Sequence, residues 1–206
     1  YDGHSVYDYQ FYRRIGELSL QGQYPSIHYW LEYPPVFSYI IVGIYRASLL
    51  LPAVRDSMFW FHNFLGSFLA LVDTGNLALI YAIQLRLADR AVAIRSAWMY
   101  ALLFWPLYVM IGWFDALPLL FLLATVYGLV SNRPVLTGLA AGLGFMTKII
   151  PAVVAPIALR AFDGRKKVGI SALSGALTAF VIALPFLLNN PRLLVFGFQS
   201  SLSRSS

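Results

Sequence analysis

Asp8, Glu32, Tyr33, Asp115 and Lys148 are the side chains best equipped to move a proton or meet an anion, and all of them border strongly apolar sequence. Asp8, in Tyr7-Asp8-Tyr9-Gln10, starts a helix predicted over 6–20. There the helix dipole favours its ionised form, and a carboxylate so held can take a proton from a hydroxyl. Glu32-Tyr33-Pro34-Pro35 joins an acid to a rigid turn, because each proline fixes its own backbone and restricts the residue before it. Asp115, in Gly112-Trp113-Phe114-Asp115, stands where a neutral loop enters an apolar helix. Lys148, in Thr147-Lys148-Ile149-Ile150-Pro151, lies between two apolar segments and is costly there unless it meets an anion, for which lipid phosphate is the obvious partner. Arg13 and Arg14 are placed to serve the same anion. Plainer roles exist for each: a helix cap for Asp8 and Asp115, a stiff lead-in to a membrane helix for the prolines, snorkelling for Lys148 and a solvated helix face for the arginines.

The elements that must hold these residues are membrane-type helices. Of 206 residues 59% are hydrophobic and 12% charged, against roughly 25% charged in a soluble domain. Several apolar runs approach the roughly 20 residues that cross a hydrocarbon core. The expected fold is all-α, a polytopic transmembrane bundle. A β-barrel needs alternating polarity, whereas 117–129 is apolar on nearly every face. The net charge of +6 comes from 15 Lys and Arg dispersed between apolar segments, a pattern that sets membrane orientation rather than binding nucleic acid. The absence of cysteine removes disulfides and thiol chemistry. His4, His28 and His62 have no companion at metal-ligand spacing, and no phosphate-binding loop, serine elbow or His-Glu-x-x-His occurs.

Three regions follow: an extracytoplasmic acidic loop with an interfacial helix (1–35), a transmembrane region (36–188) and a further outer loop (189–206). The spacing over 6–20 puts Phe11, Ile15 and Leu18 on one side and Arg13, Arg14 and Glu17 on the other, an amphipathic helix for the membrane interface that Gly22 and Pro25 end. Tyr29 and Trp30 suit headgroup level. The segment 36–52 is short and ambiguous: a crossing puts the acidic loop and Asp115 on opposite sides, whereas a dip into the interface, which the costly Arg46 favours, keeps them on one side. Spans are predicted over 59–85, 96–111, 116–130, 135–147, 149–159 and 168–188. Basic loops at Arg86, Arg90 and Arg95, at Arg133, and at Arg160, Arg165, Lys166 and Lys167 are then cytoplasmic, which leaves the acidic loop and Asp115 together outside. Asp73, inside a span, is expected to pair with a basic or hydroxyl group of another helix. Starting at Tyr1 without a visible anchor and ending in a serine-rich tail, the chain reads as part of a longer protein.

Taken in order, Asp8-Tyr9-Gln10, Gly22, Pro25, Tyr33-Pro34-Pro35, Phe114-Asp115-Ala116-Leu117 and Thr147-Lys148-Ile149-Ile150-Pro151 resemble the polytopic glycosyltransferases of the GT-C class. The resemblance is to mannosyltransferases that use a polyprenyl-phosphate sugar, both bacterial cell-envelope enzymes and the catalytic subunit of the first GPI mannosyltransferase. It implies an inverting hexosyltransferase of the bacterial plasma membrane, with its site facing outward, a polyprenyl-phosphate sugar as donor and a glycan or lipid hydroxyl as acceptor. By the same resemblance Asp8 is the base, Asp115 matches a second acidic position, Lys148 with Arg13 or Arg14 meets the donor phosphate, and Glu32 and Tyr33 orient sugar hydroxyls. Mannose is the first expectation; arabinose, glucose or another hexose fits equally. Some members use a divalent metal and others none, so no metal ligand is assigned. The alternative is a transporter or flippase of a lipid-linked or anionic substrate, with Asp73, Asp115 and Lys148 along one route. A membrane anchor or assembly subunit has no need of the acidic Tyr-Pro-Pro loop. The transferase requires Asp8, Glu32 and Asp115 to converge on one face.

Overall fold

The first helix, α1 (Gly3–Leu20), stops where Gly22 takes the left-handed conformation with φ 75°, which a residue without a Cβ adopts at little cost. The Gly22 and Gln23 amides donate back to the carbonyls of Ser19 and Leu18 at 3.3 and 3.0 Å, closing the helix end. A computed structural model describes residues 3–52, 58–103, 114–149 and 162–203, and among these the regular elements are all helices. They continue as α2 (Pro35–Ser48), α3 (Phe59–Leu87), α4 (Arg90–Leu102), α5 (Ala116–Val130), α6 (Pro134–Phe145), α7 (Arg165–Asn189) and α8 (Pro191–Ser203).

The inner stripe of α1 is Tyr12, Ile15, Gly16 and Ser19, one helical face by spacing. Of the apolar side expected for an interfacial helix, Ile15 is buried in this stripe while Phe11 is 43% exposed. Gly16 lets α2 approach: a Cβ there would lie 2.2 Å from the Tyr45 ring. Arg46, near the end of α2, donates to the Ser19 carbonyl at 2.8 Å and to the Tyr24 hydroxyl at 2.9 Å. Its charge thus meets the negative end of α1. With 14 residues, α2 is about 21 Å long, short of a hydrocarbon core of about 30 Å.

By length and composition α3 and α7 can cross a membrane, while α5 and α6 are apolar but shorter. The helix expected from 96 begins earlier, at Arg90, because Asp89 caps it through the Val92 amide at 2.9 Å. The rest of that expected span, 104–111, and the span expected over 149–159 apart from Ile149, lie outside the described residues. The segment 189–206, expected to be a loop, contains α8. The reason is Asn190-Pro191: the Asn190 side chain accepts from the Leu193 amide at 3.4 Å, and proline suits a first helical position.

Small residues bring α6 and α7 into close contact. A Cβ on Gly138 would lie 1.9 Å from Ser174 Oγ and 2.2 Å from the Ser171 carbonyl oxygen, whereas nothing lies within 4 Å of one on Gly169. Gly138→Ala is therefore expected to destabilise the folded protein by roughly 1–3 kcal/mol. Gly169→Ala on the same α7 serves as the control, expected to be neutral or to gain up to about 1 kcal/mol of helix propensity. Thermal unfolding of the detergent-solubilised protein compares the two.

Side-chain bonds gather basic loops at one end of the bundle. Arg86 donates to the Tyr127 hydroxyl at 3.3 Å and Lys167 to Asn132 Oδ1 at 2.9 Å. The other end of α5 carries Asp115. There the Val36 amide donates to the Met146 carbonyl at 3.1 Å, tying the start of α2 to the segment that bears Lys148.

Candidate functional site

Asp8, Phe11 and Tyr12 follow one another at helical spacing on α1, so they present a single face. That face, Glu32 and Tyr33 from the Tyr-Pro-Pro turn, and Phe114 and Asp115 at the start of α5 line one cavity of about 450 Å³. Three carboxylates from three separate stretches of chain therefore converge. Because α1 begins at Gly3, Asp8 lies beyond its first turn, not at its start as expected. A cap role for Asp8 is thereby removed, since a cap residue precedes the helix.

Asp115 occupies the cap position of α5 but its side chain makes no cap bond. Its Oδ1 instead accepts from Lys148 Nζ. Lys148 follows the last turn of α6, where its amide donates to the Gly144 carbonyl at 2.8 Å, and its Nζ lies 5.5 Å from the Phe114 ring centre and 6.0 Å from that of Tyr33. The aromatic faces favour a cation there. With the side chains of Lys148 and Asp115 26% and 40% exposed, the pair remains open to exchange with a ligand.

A ring sequence holds the walls together. Tyr33 meets Phe114 edge-on at 4.9 Å, Phe114 stacks on Phe37 at 4.1 Å, and Phe37 meets Tyr12 at 5.2 Å. Tyr9 then meets His62 of α3 at 4.6 Å. Burial first, and then the charge of Asp8 with smaller contributions from Tyr33 and Asp115, pushes the Tyr12 phenol well above its ordinary range. It is a neutral hydroxyl at the cavity wall.

Arg13 and Arg14 are not among the residues lining this cavity. Arg13 Nε donates to Glu17 Oε1 at 2.6 Å, and Arg14 Nη1 lies 3.9 Å from Glu17 Oε2. The helical i,i+4 and i,i+3 spacings make those ion pairs. Their nearest charged partner is thus Glu17, one turn along the same helix. Asp73 accepts from the Tyr100 hydroxyl at 2.5 Å between α3 and α4, the hydroxyl pairing expected for it, and does not line the cavity with Asp115. Among the described residues no three His, Asp or Glu form a group able to hold a metal ion.

The sequence reading passed over Phe11, Tyr12, Phe114 and Asn76. For the first two the signal was their helical spacing from Asp8. Asn76, fully buried in apolar α3, donates through Nδ2 to the Ala116 carbonyl at 3.0 Å. A lone amide in an apolar span was its signal. No protein-family model, curated protein or solved structure matches this chain.

Proposed function

We propose that this chain is the catalytic region of an inverting membrane glycosyltransferase, a polytopic bundle of the GT-C type. It moves a hexose, mannose in the first instance, from a polyprenyl-phosphate donor to a hydroxyl of a glycan or lipid acceptor at the outer face of a bacterial plasma membrane. The observation that carries this reading is the convergence of Asp8, Glu32 and Asp115 on one aromatic-walled cavity with Lys148 paired to Asp115 at its edge.

The acceptor hydroxyl gives its proton to the Asp8 carboxylate as its oxygen bonds to the anomeric carbon. On the opposite face the bond from that carbon to the phosphate oxygen breaks, and its electron pair stays on the phosphate. The extra negative charge is met by Lys148, which Asp115 holds. A single displacement inverts the sugar and needs no covalent intermediate. Glu32 accepts bonds from sugar hydroxyls, and the rings of Tyr33, Phe114 and Phe11 offer apolar faces to the sugar.

The chain is free of cysteine, so single probes are clean. Gln10→Cys and Asp115→Cys in the full-length protein are expected to label from outside the cell, and Asn132→Cys, beside Lys167, only after permeabilisation. Purified protein is expected to pass hexose from polyprenyl-phosphate mannose to an acceptor hydroxyl. Labelling of the first two from opposite sides, or no transfer from any polyprenyl-phosphate sugar, sinks the reading.

A further inference from the structure

Asn76 is completely buried, and while its Nδ2 donates to the Ala116 carbonyl at 3.0 Å, its Oδ1 has no hydrogen-bond partner among the described residues. A half-satisfied amide in an apolar interior is a standing cost that a leucine of similar size would avoid. The Asn76 side chain also lies within reach of the Tyr100 hydroxyl of α4, and the bond to Ala116 is its tie into α5. That carbonyl belongs to the residue after Asp115, in a helix whose first turn receives no side-chain cap and contains Pro118, which has no amide hydrogen to donate. Backbone bonds close that turn, the Leu117 amide donating to the Phe114 carbonyl at 2.9 Å and the Leu119 amide to the Asp115 carbonyl at 3.2 Å, and the bond from α3 anchors the closed turn to the longest helix among the described residues. On the opposite side the Asp115 carboxylate must reach Lys148 across the Phe114 ring.

We infer that Asn76 is a positioning residue for Asp115: by holding the Ala116 carbonyl it fixes the first turn of α5 and with it the carboxylate that engages Lys148. Its bearing on turnover rests on the transferase reading of the cavity, whereas its effect on the Asp115–Lys148 pair does not.

The test is competitive acetylation of the purified full-length protein with acetic anhydride, reading Lys148 against Lys166 by mass spectrometry. Contact with Asp115 shields the Lys148 amine, so Asn76→Leu is expected to raise its relative acetylation about twofold to fivefold, approaching Asp115→Asn. In the same preparations kcat for hexose transfer is expected to fall roughly tenfold to a hundredfold while donor KM stays within about twofold, as for a misplaced reacting group. Should Asn76→Leu fail to fold, Asn76→Ala decides the matter, because it removes the donor to the Ala116 carbonyl without adding branched bulk and keeps helix propensity. Wild-type Lys148 labelling in the folded variant overturns the inference, whatever the activity. A shift in labelling in the variant, with no sugar transferred by the wild-type protein either, upholds the positioning role and removes the transferase reading instead.

Discussion

Asp8→Asn in the full-length protein is expected to lower hexose transfer by roughly 10²–10⁴-fold, the contribution of a well-placed general base. The substitution keeps the shape of the side chain and removes its ability to take a proton. Asp8 lies on the cavity side of α1 beyond the first turn, so no helix cap is lost and the fold is expected to persist. On the transferase reading, in which Lys148 meets the donor and Asp8 is the base, the loss belongs in kcat. Initial rates with labelled donor, taken beside thermal unfolding curves, separate this from a structural role. A cap residue would show the reverse pattern, a stability loss of about 0.5–2 kcal/mol with transfer preserved.

Lys148→Met is expected to cost transfer roughly 10²–10³-fold, the scale for removing one group that meets charge formed in the transition state. Its effect on folding should be far smaller. The ion pair with Asp115 is partly exposed, and such pairs contribute about 0.2–1 kcal/mol. If the pair only braced α5 against the end of α6, both Lys148→Met and Asp115→Asn would cost that small amount and leave transfer unchanged. A catalytic pair predicts non-additive rates in the double variant, because Asp115 acts through the cation it holds. Arg13→Gln is expected to leave transfer near wild type, since Arg13 is engaged by Glu17.

The long apolar runs bounded by basic loops were legible, because α3, α5 and α7 owe their existence to composition and to breaks at Arg86 and Arg133 that any window registers. The tie of Asp73 to a hydroxyl was legible for a similar reason: a carboxylate in an apolar helix must find a donor. The orientation of α1 was not. Its cavity face mixes an acid with aromatic rings, so a rule that sorts apolar from charged separated Phe11 from Asp8 and passed over Tyr12. The pairing of Arg13 and Arg14 with Glu17 one turn away was open to reading from its i,i+4 and i,i+3 spacing, but their charge was weighed toward a ligand. The α8 helix was overshadowed by serines, although Asn190-Pro191 announces it. The Asn76 contact joins residues forty positions apart, which no local pattern encodes.

That contact also fixes a level along the bundle. Along α3, Asn76 stands roughly 15 Å from Arg86 and about 25 Å from the opposite end at Phe59. The start of α5, and with it Asp115, is therefore recessed along α3 instead of standing level with its far end at Phe59. On the transferase reading the donor is anchored by its own lipid tail, and a floor recessed in this way is reached sideways from the leaflet. Its supply is then governed by surface density and lateral diffusion, so in vesicles the rate should follow the mole fraction of donor in the lipid and stay constant when the same vesicles are diluted in buffer.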